Sequence, residues 1–192
     1  MAKDNFKKEK NDFIIKYEKK DVEETISSVL GDDFREYRKN FKKTQSYETA
    51  KSIPDFPVTL YVELVNRCNL NCIMCYKAHH AQPRAEMSLE TYGKIMDECK
   101  KNKLPALSLS LGSEILLHKD IKKIMEMTGE AKILDTFFGS NGVLMNEEIA
   151  ELIMKNKFTR VEVSLDAATQ ETYAKIRRGS PGLDVVEKNI NG

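Results

Sequence analysis

From Val58 onward the chain repeats one pattern: a short apolar stretch that suits a β-strand, then an amphipathic stretch that suits an α-helix. The predicted strands cover residues 58–65, 106–111, 133–138 and 160–166. Consecutive strand–helix units favour a parallel sheet with right-handed crossovers. The sequence therefore predicts an α/β fold built from about four βα units.

The two faces of the predicted strands differ in polarity. The residues expected to pack under the helices are Leu60, Val62, Leu64, Leu107, Leu109, Leu111, Val161, Val163 and Leu165. The opposite face carries Thr59, Tyr61, Glu63, Ser108, Ser110, Glu162, Ser164 and Asp166. A closed eight-stranded barrel fills its interior with branched apolar side chains. Polar residues on that face instead indicate a wider, open barrel with a hydrated interior.

Three of the four cysteines lie in the loop after the first predicted strand. Cys68, Cys72 and Cys75 have C-x3-C-x2-C spacing. The fourth, Cys99, falls on the apolar face of a predicted helix that begins after Ser88, and we expect it to be part of the core. The loop thus offers three clustered thiols and no fourth local cysteine.

Three interpretations of this loop are open. A structural zinc site needs four ligands, and His79 or His80 could supply the fourth. The cysteines could also be unligated core residues. A cubane iron–sulfur cluster would use three thiolates and leave one iron without a protein ligand. The absence of paired C-x2-C motifs and the polar neighbours Asn69 and Asn71 favour the cluster.

Overall composition excludes some classes of partner. Among 192 residues, 31 are basic and 30 acidic, so the net charge of +1 gives no reason to expect a nucleic-acid or membrane-surface partner. No apolar run approaches the roughly 18 residues of a membrane span, and no secretory signal is evident at the N-terminus. We expect a cytoplasmic protein with reduced thiols, in which clustered cysteines indicate metal binding or catalysis.

Residues 1–53 are predicted to form a helical, charged extension, and residues 54–192 the main domain. Apolar residues at helical spacing predict one or two amphipathic helices with a break at Gly31; they are Val22, Ile26, Val29, Leu30, Phe34, Tyr37 and Phe41. Covering part of the main domain is the favoured role for these helices, ahead of binding a partner. Pro54 and Pro57 mark the entry to the main domain.

From about Val58 to Gly192 the chain resembles the N-terminal part of a radical S-adenosylmethionine (radical SAM) core domain. The cysteine loop has the spacing of that family, and three landmarks follow in the family's order. Gly112-Ser113-Glu114 resembles its Gly-Gly-Glu segment, and Ser140-Asn141-Gly142 resembles its Thr-Asn-Gly turn. Ser164-Leu165-Asp166, with the later Arg177-Arg178-Gly179, resembles its fourth-strand Ser-x-Asp and the Arg-Gly that follows.

The resemblance implies a partial (βα)6 TIM-like barrel and two cofactors. Cys68, Cys72 and Cys75 would hold a [4Fe-4S] cluster whose open iron takes the amino and carboxylate groups of S-adenosylmethionine. Reductive cleavage would give methionine and a 5′-deoxyadenosyl radical that abstracts hydrogen from an unidentified substrate, with flavodoxin or ferredoxin as electron donor. The alternative is a catalytically inactive iron–sulfur or zinc-binding module with a binding or regulatory role.

The resemblance also implies roles for ten residues around S-adenosylmethionine, and no catalytic side chain beyond the two cofactors. The methionine ammonium would meet Gly112, Ser113 and Glu114. The carboxylate of the same methionine group would meet Ser164 and Arg177. The ribose hydroxyls would meet Ser140, Asn141 and Asp166, and adenine would contact Met74 and Tyr76.

The sequence departs from the family pattern in places. Ser113 replaces the second Gly, Ile115 replaces the usual Pro, and Met74 occupies a position that is often aromatic. Only four strands of the six are found, so we expect a truncated form or gene fragment of a longer protein. Relatives with this kind of core often carry a C-terminal SPASM-type extension with further cysteines, and this sequence shows none.

Overall fold

The structure, a computed structural model, describes residues 22–45, 54–78 and 83–191. The strands are β1 (Thr59–Tyr61), β2 (Ala106–Ser108), β3 (Asp135–Ser140) and β4 (Arg160–Val163). The helices are α1 (Val22–Leu30), α2 (Asp32–Thr44), α3 (Leu89–Lys101), α4 (Ile121–Glu130), α5 (Glu147–Lys155), α6 (Gln170–Ile176) and α7 (Leu183–Asn191). Short 3-10 turns cover Tyr76–Ala78 and Ile115–Leu117.

The four strands form one sheet in the order β1-β2-β3-β4, with every neighbouring pair parallel. Helices α3, α4 and α5 connect successive strands. The side chains of Ser88 and Asn146 accept hydrogen bonds from the first turns of α3 and α5 and so fix where these helices begin. The predicted α/β fold with about four βα units is confirmed.

The strands are shorter than predicted at their carboxyl ends, except β3. The first strand ends at Tyr61 rather than residue 65, because the chain then pairs with the segment that enters α3. Val65 forms an antiparallel bridge with Glu86, and the Met87 N–H donates to the Leu64 carbonyl at 2.9 Å. Strand β3 runs to Ser140, two residues beyond its predicted end.

The main core lies between the sheet and helices α3 to α5. Apolar residues of the strands and of the segments that directly follow them pack there against buried helix residues. The first group includes Val62, Leu64, Leu107, Leu109 and Phe138, and the second Tyr92, Met96, Cys99, Ile124 and Met125. The predictions for Cys99 and for the apolar strand face are therefore confirmed, with one exception. Leu111 is 68% exposed, because it lies three residues past the end of β2, in the segment that lines the cavity at the end of the sheet.

Helices α1 and α2 cover the N-terminal end of the sheet. Phe34 and Tyr37 are buried in one cluster with Ala106, the first residue of β2. The hydroxyls of Tyr37 and Thr59, at the start of β1, share a hydrogen bond of 3.1 Å. The two predicted helices and their break at Gly31, which has φ +74, are present. The division at residue 53 stays a prediction, since residues 46–53 lie outside the described ranges.

Beyond the strand starts that α1 and α2 cover, the inner face of the sheet carries aromatic as well as polar side chains. Arg160 Nη1 lies 2.8 and 2.9 Å from the two carboxylate oxygens of buried Asp135. The same guanidinium stacks 3.6 Å from the ring centroid of Phe137, which meets the Tyr61 ring edge-on.

No helix in the described part of the chain is both long and apolar enough to cross a membrane.

Candidate functional site

The carboxyl ends of the strands and the cysteine loop enclose a cavity of about 280 Å³. Parallel strands bring the segments that follow them to one edge of the sheet, which is where α/β folds place ligands. The residues that line the cavity are Cys68, Leu70, Cys72, Met74, Cys75, Ser110, Leu111, Gly112, Ser113, Glu114, Gly139, Ser140, Asn141, Ser164 and Arg177.

The cysteine loop is held in place by the end of α6. The Asn71 N–H donates to the Arg178 carbonyl at 2.7 Å, and the Ile73 N–H donates to the Ile176 carbonyl at 3.1 Å. These bonds fix residues on both sides of Cys72, which is the most buried of the three loop cysteines. Segments about 100 residues apart in sequence therefore set the shape of the loop.

Cys68 has polar neighbours on two sides. Its sulfur accepts a hydrogen bond of 3.4 Å from the Leu70 N–H, and the Asn141 amide nitrogen lies 3.8 Å away. The residue as a whole is exposed, but neighbouring groups partly shield its thiol from water; this raises the pKa of the thiol and outweighs the Leu70 hydrogen bond, which acts in the opposite direction. The negative charge of Glu114 raises the pKa further, so the free thiol stays protonated near neutral pH.

Glu114 joins the ends of β2 and β3. One carboxylate oxygen accepts hydrogen bonds from the Ser140 hydroxyl at 3.0 Å and the Leu116 N–H at 3.3 Å. The other accepts from the Asn141 N–H at 2.8 Å. Burial raises the pKa of this carboxyl in spite of these bonds. A carboxylate has about four acceptor positions, so one remains for a ligand cation.

Asn141 connects the β3 turn to the cysteine loop. Its amide nitrogen donates to the Asn69 side-chain oxygen at 2.8 Å, and its own oxygen accepts from the Val143 N–H at 3.0 Å. The turn continues through Gly142, which has φ +77 and has no room for a side chain. The Ser-Asn-Gly segment thus forms a fixed wall of the cavity.

The structure shows a partly buried ion pair beside the cavity that the sequence analysis did not predict. Lys77 Nζ lies 3.0 Å from Glu63 Oε1 and also contacts the Ser113 hydroxyl, which donates to the same Glu63 oxygen at 2.7 Å. Burial of Glu63 is outweighed by its bonds to Ser113 and Lys77, which lower the pKa of the carboxyl. The signal in the sequence was an acid on the inner strand face and a base just after the third cysteine.

Arg177 reaches the cysteine loop from the end of α6. Its Nη1 lies 3.5 Å from the Cys72 sulfur, and its Nη2 is ion-paired with the Asp166 carboxylate. Its Nε is buried and has no hydrogen-bond partner in the part of the chain that the structure describes. A buried, unpaired cationic N–H that belongs to a cavity-lining residue is suited to an anionic ligand group. The neighbouring Arg178 is exposed.

The structure brings most of the predicted site residues together. The three cysteines and eight of the ten predicted cofactor residues line the cavity; the eight are Met74, Gly112, Ser113, Glu114, Ser140, Asn141, Ser164 and Arg177. Asp166 does not line it and instead pairs with Arg177. Tyr76 is also outside the lining, with its ring against Gly112. Sequence reasoning assigned no role to Ser110 and Gly139, which complete one wall.

The thiols are not arranged as a single-ion site. Among the described residues, no three His, Cys, Asp or Glu side chains are grouped to hold one metal ion. Zinc ligands converge on one ion, whereas the thiolates of a cubane cluster bind different iron atoms. His79 and His80, the candidates for a fourth zinc ligand, lie outside the described residues.

Comparison with known proteins identifies the family. The sequence model of the Radical SAM superfamily matches residues 62–191, which is more than half of the chain. The chain belongs to the radical SAM superfamily. This match confirms the resemblance and covers the cysteine loop and all three landmarks.

Curated relatives of this radical SAM domain are named for enzymes. A probable GTP 3′,8-cyclase of Methanocaldococcus jannaschii is 33% identical over 135 residues, which are 70% of this chain and 43% of the relative. An AdoMet-dependent heme synthase of Methanosarcina barkeri is 34% identical over 121 residues, 62% of this chain and 34% of the relative. The chain thus spans less than half the length of these relatives. Their names confirm the predicted enzyme class.

Solved structures show the same fold. Streptococcus suis SuiB bound to its precursor peptide SuiA has a TM-score of 0.59 at 23% identity, over 78% of this chain and 32% of SuiB. Native anSMEcpe with bound AdoMet has a TM-score of 0.58 at 22% identity, over 70% of this chain and 40% of that one. The expected partial radical SAM barrel is confirmed by these matches; a SPASM-type extension stays a prediction.

Proposed function

We propose that this radical SAM domain holds a [4Fe-4S] cluster on Cys68, Cys72 and Cys75 and binds S-adenosylmethionine at the iron that lacks a protein ligand. The observation that carries the proposal is the single cavity in which the three thiols, the predicted ammonium site and Arg177 meet. Three thiolates with a fourth position left open suit a cluster that must bind a small molecule.

The described residues fit the methionine end of S-adenosylmethionine. The unpaired Nε of Arg177 offers a charged donor to the carboxylate, and Ser164 lines the cavity with it. Glu114 is buried, its pKa is raised, and within the described residues only neutral groups bond to its carboxylate. A ligand ammonium beside it would therefore stabilise the ionised carboxylate and be stabilised by it. The backbone at Gly112 and Ser113 lies on the same wall.

When bound, the cluster and S-adenosylmethionine supply a 5′-deoxyadenosyl radical that abstracts hydrogen from a substrate. The residues of this chain hold the two groups in contact, and the strand ends exclude water from one side of them. Asn141 and Glu114 fix the β3 turn against the cysteine loop. Ser140 and Asn141 are proposed to meet the ribose, and Met74 and Tyr76 to contact adenine. Asp166 lies outside the cavity lining, and we propose that it contributes by holding Arg177 in place.

The names of the relatives give the first substrates to test. GTP comes first, because a probable GTP 3′,8-cyclase is among the most similar curated proteins, and a haem precursor comes second. We propose flavodoxin or ferredoxin as the electron donor. We also propose a cytoplasmic setting, because reduced thiols are needed to assemble the cluster, and residues 54–192 as the cluster-binding domain.

Anaerobic reconstitution with iron and sulfide tests the proposal. The expected product is a brown protein with a broad visible band that releases 5′-deoxyadenosine when given S-adenosylmethionine and a reductant. Cys72→Ala should lose the band and the product. Cys99→Ala is the matched control, since this cysteine is buried in the core away from the cavity, and it should keep both.

Two results would overturn the proposal in different ways. One zinc and no iron in the wild-type protein would remove the cluster altogether. A full cluster with no 5′-deoxyadenosine would favour the alternative, an inactive iron–sulfur module with a binding or regulatory role. Iron and zinc analysis therefore precedes the turnover assay.

A further inference from the structure

We infer that Arg177 is a positioning residue that acts on the cluster through Cys72 and makes the cluster easier to reduce. This inference rests on the proposed function, because it requires the cluster on Cys68, Cys72 and Cys75. It goes beyond the predicted role of Arg177 as a ligand for the S-adenosylmethionine carboxylate, since it holds before that molecule binds.

The geometry around Cys72 carries the inference. The guanidinium Nη1 of Arg177 lies 3.5 Å from the Cys72 sulfur, within the range of an N–H···S hydrogen bond. Cys72 is the most buried of the three loop cysteines, with 6% of its surface exposed. The Arg177 side chain is itself 12% exposed, so water screens this contact only weakly. Cys68, by contrast, has the neutral N–H groups of Leu70 and Asn141 near its sulfur.

The rest of the guanidinium is held by a second contact. Asp166, which has the left-handed backbone conformation with φ +60, pairs with Nη2. This pair aims Nη1 at the sulfur and leaves Nε free for a ligand. Asp166 also offsets part of the positive charge, but its side chain is 38% exposed and therefore better screened than the contact with Cys72.

A cation that donates a hydrogen bond to a cluster thiolate stabilises the more negative, reduced state of the cluster. Hydrogen bonds to the sulfurs and net charge are among the factors that set iron–sulfur potentials. Burial strengthens the effect because the local dielectric constant is low. Arg177 should therefore raise the midpoint potential of the cluster, and removal of its charge should lower that potential.

The test is a reductive titration of the reconstituted full chain, followed by electron paramagnetic resonance, in the absence of S-adenosylmethionine. Arg177→Gln should show a lower midpoint potential than the wild-type protein. Arg178→Gln is the matched control, because it removes the same charge one residue away from an exposed side chain, and its potential should equal that of the wild type. Arg177→Lys keeps the positive charge on a side chain of different length. Its midpoint potential should lie between those of the wild type and Arg177→Gln.

Asp166→Asn should shift the midpoint potential in the opposite direction. This variant also keeps the inference testable if Arg177→Gln fails to hold a cluster. It removes the offsetting negative charge and leaves Arg177, so the midpoint potential should rise. The inference would be overturned if the wild-type, Arg177→Gln and Asp166→Asn proteins all had the same midpoint potential. It would also be overturned if Arg177→Gln and Arg178→Gln shifted the midpoint potential equally. A wild-type protein without a cluster would instead contradict the proposed function, and iron analysis before the titration separates the two.

Discussion

Lys77 joins three segments of the site with one side chain. Its ammonium bridges Glu63, two residues after the first strand, and Ser113, which follows the second strand, while its own backbone follows the third cysteine. Ser113 replaces a glycine of the family pattern, and its hydroxyl is used by this pair. The departure from the pattern at Ser113 is thus matched by a specific set of contacts.

Lys77→Met should lower the free energy of unfolding by about 1–3 kcal/mol at pH 7, because it leaves the Glu63 carboxylate without its charged partner. The lowered pKa of Glu63 means that this contribution is present above its ordinary value of 4.5 and is lost as the pH falls through the folded-state pKa. The difference between variant and wild type, measured by urea unfolding of the apoprotein, should therefore shrink below pH 4.5.

Lys175→Met is the control for this prediction. Lys175 pairs with Glu171 on the surface of α6, where both side chains are more than 70% exposed. The change there should be within about 0.5 kcal/mol. An equal decrease in the free energy of unfolding in the two variants would show that the Lys77 contacts stabilise the fold no more than a surface ion pair does.

Gly142 and Gly31 separate backbone strain from crowding. Their φ angles are alike, at +77 and +74, but a Cβ on Gly142 would lie 2.7 Å from a Val186 methyl carbon, whereas a Cβ on Gly31 meets nothing within 4 Å. Gly31→Ala should cost about 1–3 kcal/mol from strain, because φ +74 with ψ −151 lies in a region that is essentially restricted to glycine, and Gly142→Ala about 1–3 kcal/mol more from overlap with Val186. Urea unfolding of both variants measures the difference, and equal costs would contradict it.

At the scale of elements, α3 and α5 end in the same way. Each helix is followed by Asn, then by a Lys with positive φ, then by an apolar residue that turns back onto the helix. The Leu104 N–H donates to the Cys99 carbonyl at 2.9 Å, and the Phe158 N–H donates to the Ile153 carbonyl at 3.1 Å. These bonds belong to the Schellman motif, in which glycine is the usual left-handed residue. After each of these two helix ends, the chain returns to the sheet.

Lys157→Gly should therefore raise the free energy of unfolding by about 0.5–1 kcal/mol, since Lys157 has φ +55 and glycine adopts that conformation without strain. Lys155→Gly, two residues earlier in the helix, should lower it by a similar amount. Thermal and urea unfolding of the two variants measure these opposite signs. A loss of stability in both would mean that the Lys157 side chain contributes more than its backbone strain costs.

At the scale of the whole molecule, the sheet has a covered end and an open end. Helices α1 and α2 pack across the first residues of β1 and β2, and the cavity with the cysteines lies at the carboxyl ends of the strands. The N-terminal helices therefore contact the starts of the strands and do not line the cavity.

Phe34→Ala tests whether this cover is part of the cooperative fold. Phe34 is 1% exposed and packs with Tyr37 and Ala106, so its truncation should cost about 3–5 kcal/mol. Val29→Ala on α1, where the side chain is 79% exposed, should cost less than about 0.5 kcal/mol. A single urea transition that shifts as a whole in Phe34→Ala is expected; two separate transitions would show that the helices fold independently of the sheet.

The sequence by itself determined the order of elements and the family of the chain. Periodicity distinguished strands from helices, Ser88 marked a helix start, and the C-x3-C-x2-C spacing with its three landmarks indicated the family. These features are local, because hydrogen-bond capping, side-chain alternation and loop spacing all act within a few residues. The strand ends were predicted less well, since Leu64 and Val65 pair with a segment more than 20 residues away.

Only the tertiary structure decided which polar side chains share the cavity and which neutralise one another. Arg177 lies beside Cys72, 105 residues away in sequence, and Lys77 contacts Ser113, 36 residues away, as well as Glu63. The same packing leaves Leu111 exposed and assigns Asp166 to an ion pair outside the cavity lining. Charge and hydrogen-bond partners depend on distances of a few ångströms between remote segments, and those distances exist only once the sheet has brought the strand ends together.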